Sequence, residues 1–155
     1  MGARSVILMR AVCGVLLMAG CGLSFGPERQ APAERNETIV GTWSSIDTSP
    51  EVILQFNVNR TMTCRVPRDS RFAFWARYAY DPDPEPATLD LIEVTSSAFP
   101  GDCLAIVRFP EEGVLELSGE FGMTPDRPTE FTGDTDLTLG VTRIHLRLAK
   151  TTFLQ

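Results

Sequence analysis

Lysine is all but missing from this chain: Lys150 is the only one among 14 basic residues, and His145 is the only histidine. With 20 acidic residues the formal net charge is −6. An acidic balance argues against nucleic acid as a partner, because phosphate binding needs clustered Lys and Arg. A lone histidine and the absence of any C-x-x-C pair leave a zinc-type centre short of ligands, so no metal and no cofactor is expected. Beyond the first 20 residues no apolar run approaches the roughly 20 residues a membrane-spanning helix requires. Nucleophile motifs are also lacking. Ser44-Ser45 and Ser96-Ser97 have none around them, and Glu111, Glu112, Asp134 and Asp136 fall in predicted turns. General acid–base work needs two carboxyls in unlike, partly buried settings. We therefore expect no catalytic residue and no enzyme.

What is present begins at the N-terminus. Arg4 and Arg10 form a positive segment with no acid before Glu28, and Ala11 to Ala19 is an apolar run of nine residues. That length suits the apolar region of a secretory signal. Leu17-Met18-Ala19-Gly20-Cys21 resembles the bacterial lipobox, with Met18 standing where Leu is usual. In signals of that kind the chain is cut before the cysteine, which then carries the lipid. Two or more acyl chains anchor a protein stably where one does not. We expect residues 1–20 to be a lipoprotein signal peptide, Cys21 to be the lipidation site, and residues 21–38 to be a flexible tether rich in Pro, Ala, Glu and Arg. Gly22, not Asp, follows the cysteine. By resemblance to Gram-negative sorting rules this implies the outer membrane of the cell envelope. An ordinary signal peptide cut elsewhere is the alternative.

Export also frames the remaining cysteines. Cys13 leaves with the signal and Cys21 takes lipid, so Cys64 and Cys103 remain. In an oxidising compartment two such cysteines are expected to form a disulfide, which over a loop of this length stabilises by roughly 4 kcal/mol in the chain-entropy model. Two buried free thiols are the alternative.

From residue 39 onward the hydrophobic period is two, with turn residues between short runs. Strands are expected at 40–46, 52–58, 61–66, 72–80, 88–94, 103–109, 114–120 and 136–149, the last with a bulge or kink at Gly140. Asp81-Pro-Asp-Pro-Glu-Pro86 cannot be a central strand, since proline removes ladder donors. Eight evenly spaced strands and no convincing helix predict an all-β domain over residues 39–155. An up-and-down antiparallel barrel is favoured, because closure removes exposed edges. A β-sandwich is the runner-up. Alternation points Leu54, Phe56, Phe72, Phe74 and Tyr78 inward, and the hydroxyls of Tyr78 and Tyr80 toward the wet end near Asp81–Pro86.

Three motifs carry a family resemblance. Gly41-Thr42-Trp43 heads the first strand; Asp81-Pro82 through Pro86 leads into Leu89-Asp90-Leu91; and Arg127-Pro128-Thr129-Glu130-Phe131 precedes the last strand. In this order they resemble a family of lipocalin-like domains from planctomycete-type bacteria, over about residues 39–149. The long final strand and the cysteine pair depart from the family pattern. The resemblance implies a lipocalin-like barrel in the envelope and brings no assigned activity. It further implies that Trp43 plugs one barrel end under a stacked Arg143 or Arg147, although Trp43 is equally a plain core residue. Phe56, Phe72, Phe74 and Tyr78 are the candidate lining of a site for a small apolar ligand; a packed core is the competing reading. The segment from Arg127 to Phe131 is read as a turn with Phe131 in the core, against a charged clamp at the barrel mouth. His145 is placed with Arg143 and Arg147 on the solvent face. The function expected is a membrane-anchored envelope barrel that binds a small apolar ligand. The alternative is a non-catalytic scaffold or protein-interaction domain.

Overall fold

Each expected run of alternation becomes a strand in the computed structural model, which describes residues 38–152. The strands are β1 (Gly41–Ser45), β2 (Ile53–Phe56), β3 (Thr61–Arg65), β4 (Phe74–Asp81), β5 (Ala87–Ile92), β6 (Asp102–Glu111), β7 (Val114–Gly122) and β8 (Arg143–Lys150). Every strand pairs antiparallel with its sequence neighbour, and β8 returns to β1 through Trp43↔Lys150, Ser44↔Ala149 and Ser45↔Leu148. The result is a closed eight-stranded lipocalin-like barrel, which excludes the sandwich. The signal segment, Cys21 and most of the tether lie outside the described residues.

Strand parity sets the inside. In β4 the even residues Phe74, Ala76 and Tyr78 are buried and the odd ones, Trp75, Arg77 and Ala79, are exposed. Register then carries the layers round the barrel, as in Leu54↔Cys64↔Phe74 and Leu91↔Cys103↔Phe121. Because the side-chain period is two, such layers hold only while no residue slips.

Three strand expectations are corrected. Phe72 belongs to a single 3₁₀ turn, Ser70–Phe72, whose Asp69 cap accepts from the Arg71 amide. Val58, the end of the expected strand 52–58, is 86% exposed, because β2 ends at Phe56 and the Asn57–Arg60 turn has begun. The last strand begins at Arg143 and not at Asp136. Its sequence explains why: Leu137, Leu139 and Val141 share one parity, whereas the inward residues Ile144, Leu146 and Leu148 share the other. One strand cannot serve both, so the chain breaks between them, and Gly140 sits at φ +89° in that loop and makes no bulge.

The two barrel ends differ. At one, connections are the short turns 57–60, 82–86 and 112–113; at the other they are the longer loops 46–52, 66–73, 93–101 and 123–142. The short-turn end is closed by Trp43, which is 1% exposed and donates from Nε1 to the Ile39 carbonyl at 2.8 Å. The cation over its ring is Lys150, at 5.3 Å, and neither expected arginine. Register explains this: Lys150 stands directly across from Trp43, while Arg143 and Arg147 point outward to Glu120 and to Asp47 and Glu111.

The expected disulfide is absent. Cys64 and Cys103 are both buried free thiols. They lie on β3 and β6, which are not neighbours, and the Cys103 thiol packs over Gly119 of β7, where even a methyl group would meet Sγ at 2.8 Å. Burial pushes the Cys64 thiol up to about 12, and burial with the charge of Asp90 raises Cys103 as well. Neither is a reactive thiolate.

Candidate functional site

The barrel interior holds the residues proposed to line a ligand site. Phe56, Phe72, Phe74 and Tyr78 are all buried. Tyr78 stands edge-on to Phe56 with centroids 5.2 Å apart, and its hydroxyl donates to the Asn57 carbonyl at 2.7 Å. That places the hydroxyl at the short-turn end, as alternation predicted, and satisfies a group that would be costly unpartnered. Burial raises the Tyr78 pKa, with the nearby Arg60 charge opposing.

At the long-loop end the lining meets residues that strand patterning missed. Phe99, from the β5–β6 loop, lies stacked on Phe121 at 4.4 Å, edge-on to Phe74 at 5.7 Å and tilted against Phe72 at 5.8 Å. Leu137, from the β7–β8 loop, is also buried there. The Phe99 loop is held by Ser96, whose Oγ accepts from the amides of Ala98 and Phe99. Gly101 closes it at φ +70°, where a Cβ would lie 2.2 Å from the Gly122 carbonyl oxygen. These local constraints aim one aromatic ring into the mouth. A signal existed in the sequence, an isolated Phe inside Thr-Ser-Ser-Ala-Phe-Pro-Gly, but loop residues carry no parity to show direction.

With Phe99 and Leu137 in place, a cavity of only about 20 Å³ remains, lined by apolar residues including Leu54, Cys64, Phe74, Cys103 and Leu146. That is about the room for one water, and a dry apolar void offers that water no partners. Ligand sites for drug-sized molecules measure about 300–1,000 Å³. The interior in this state is a packed core.

The outer surface divides into two walls. Over β5 to β8 the β7–β8 loop forms a strap. Arg127 donates to Asp90 on β5 and to the Ala105 carbonyl on β6. Phe131 does not enter the core; it lies outside, 4.3 Å beneath the Arg108 guanidinium. Thr132 then accepts from the Ser118 hydroxyl at 2.6 Å, and Asp134 bridges to β8 beside Ile144. Under this cover sits Glu116, which accepts from Arg108 at 2.6 Å and contacts His145 Nε2 at 2.8 Å. Burial alone would raise the Glu116 carboxyl, but the hydrogen bonds and charges of Arg108 and His145 outweigh it and hold the pKa below the usual range. His145 faces outward as expected, yet is half-buried and held to Glu116. The nearest hydroxyl across the ladder, Ser118, is committed to Thr132.

The other wall, the outward face of β2 to β4, has no such cover among the described residues. It presents Gln55, Thr63, Arg65, Trp75 and Arg77, with Trp75 37% exposed. Among the described residues no group of His, Cys, Asp and Glu is arranged to hold a metal.

Fold and surface together define the class: a closed, filled, eight-stranded antiparallel barrel with one strapped and one bare wall. Comparison with family models, with curated proteins and with solved structures returns no match.

Proposed function

We propose that this chain is a lipid-anchored barrel protein of the cell envelope that acts through its outer surface as a non-catalytic interaction domain. The observation that carries the surface role is the filled interior, with about 20 Å³ free. Anchoring is supported by the lipobox-like Leu17 to Cys21 and by the short polar segment that follows, and the outer membrane by Gly22 after the cysteine. The likeness of its three motifs to the lipocalin-like envelope family is a further support. Two measurements test this. Cys21→Ser should yield an uncut precursor that incorporates no labelled palmitate; a mutant still cut and still labelled rejects the anchor. Native mass spectrometry of the purified protein should find no stoichiometric apolar small molecule; a bound one rejects the surface role.

One observation favours a second reading. The groups that fill the mouth, Phe99 and Leu137, come from loops and not from strands. Their displacement would open an apolar pocket for a small ligand lined by Phe56, Phe72 and Phe74. Loops open at lower free energy than ladders do.

A further inference from the structure

The bare wall is also the basic pole of an acidic protein. Residues 57–80 carry five arginines and one acid, whereas the remaining described residues carry five basic and sixteen acidic side chains. The arginines run the length of the β3–β4 hairpin: Arg60 in the β2–β3 turn, Arg77 and Arg65 on the outward face, Arg68 and Arg71 at the long-loop end. Arg71 is paired with Asp69, and Arg77 approaches Glu93 only to 3.7 Å. Arg60, Arg65 and Arg68 make no ion pair among the described residues. Every other described arginine (108, 127, 143 and 147) is engaged by a carboxylate. On the same outward face stand two exposed apolar side chains, Trp75 on β4 and Ile92 on β5 directly across from Arg77, at 37% and 38% exposure. Arg65 also borders two open depressions of about 520 and 350 Å³, the larger edged by Gln55, Thr63 and Thr95.

From this arrangement we infer that the β2–β4 wall docks onto a bilayer surface bearing anionic lipid headgroups, so that the tethered barrel lies on its side against the membrane. Charge complementarity selects an anionic occupant. The indole and isoleucine beside the arginines select an interfacial one, since Trp prefers the headgroup level of a bilayer. Guanidiniums suit phosphates because they donate in a planar fork, and Arg65 presents one at the edge of the larger, open depression. The acidic remainder of the barrel does not prevent this. At physiological salt the screening length is about 8 Å, so the wall in contact decides and the far side is largely screened. Acidic surfaces turned toward the lipid would be repelled, which orients the domain. The inference rests on the membrane-anchor reading and deepens it by naming which wall meets the lipid.

The test uses the full chain, processed and purified from membranes, in vesicles of phosphatidylcholine alone or of equal parts phosphatidylcholine and phosphatidylglycerol. Bromine-labelled acyl chains report depth by quenching tryptophan. Trp43, at 1% exposure, is the internal control, and Trp75→Phe identifies the responding residue. Anchored protein should sediment with both vesicles, while Trp75 is quenched only with phosphatidylglycerol present. Raising salt to about 1 M, where screening acts within about 3 Å, should release it. Arg65→Glu with Arg68→Glu should shift the docked-to-free ratio by about 25-fold or more, on the scale of about fivefold per basic residue near an anionic surface. Circular dichroism of the double variant confirms the barrel. If the protein sediments with both vesicles but Trp75 stays unquenched, docking is overturned and the anchor stands. If it sediments only with phosphatidylglycerol, in a salt-sensitive way, the anchor falls and docking stands. If Trp75 is instead protected in detergent by salt-sensitive assembly, the wall belongs to a second copy and the inference is overturned.

Discussion

The two walls of the barrel are built from the same pleat and answer to different demands. On β7 the outward polar residues are buried or half-buried, so each needs a partner: Glu116 has Arg108 and His145, Ser118 has the Thr132 carbonyl, and Glu120 has Arg143. On β2 to β4 the outward residues meet water, and Arg65 and Arg68 make no ion pair among the described residues. A covered wall must be satisfied from within, because a buried polar group left unpaired costs about 1–3 kcal/mol. An uncovered one is free to spend its polar groups on something else. The strapped wall is thus structural, and the bare wall is where a surface function has room.

Substitutions should separate the two. The largest effect is expected where the loops enter the core. Phe99→Ala removes a ring stacked on Phe121 and packed on Phe72 and Phe74, and should destabilise by about 3–5 kcal/mol in urea unfolding; a cost below about 1 kcal/mol would mean the mouth is normally open.

Next comes the strap. Glu116→Ala should cost about 1.5–3 kcal/mol, the range for hydrogen bonds to charged groups, and leave Arg108 and His145 unpaired. The same residue gives a pH signature. Its folded pKa is depressed, so its stabilisation is complete above the ordinary glutamate range, near about 4.3, and is lost as pH falls through the folded value. Glu116→Gln should therefore flatten the acid limb of the stability curve. An unchanged acid limb would show that other carboxylates govern it.

Smaller still is the effect of reductant. Cys64 and Cys103 are unbridged, so the unfolding midpoint should be the same with and without dithiothreitol, and denaturation should expose two thiols that are silent in the folded protein. A midpoint that falls in reductant would restore the disulfide. The bare wall should be comparably insensitive: Arg65→Glu, Thr63→Ser and Trp75→Phe should each change stability by less than about 0.5 kcal/mol. A large loss at any of them would erase the contrast between walls.

The barrel was legible because period two is a strong signal, and it assigned Leu54, Phe56, Phe74 and Tyr78 to the interior without reference to neighbours. Where parity failed, it failed for physical reasons. The run Leu137, Leu139, Val141 alternates as a strand does, yet out of step with Ile144, Leu146 and Leu148, and reading both as one strand concealed the strap. Phe131 closes the Arg127-Pro128-Thr129-Glu130 turn and looked like a core residue, but its partner Arg108 is distant in sequence. Lys150 over Trp43 depends on the β1–β8 register, which only closure sets. The cysteine count showed two thiols and was silent on whether β3 and β6 are neighbours. Phe99, the residue that decides whether the interior is full, sits in a loop whose direction is fixed by Ser96 and Gly101 and by no periodicity.

Whether the interior is full is the claim on which the surface role stands, and titration with an apolar fluorescent probe addresses it directly. The chain from residue 21 onward, with Cys21→Ser and no lipid, should bind no probe saturably, while the same chain with Phe99→Ala should bind one molecule, because the deleted ring leaves a dry apolar cavity of the kind that accepts small apolar guests. Saturable one-to-one binding by the chain that keeps Phe99 would contradict the account and make the barrel a ligand carrier.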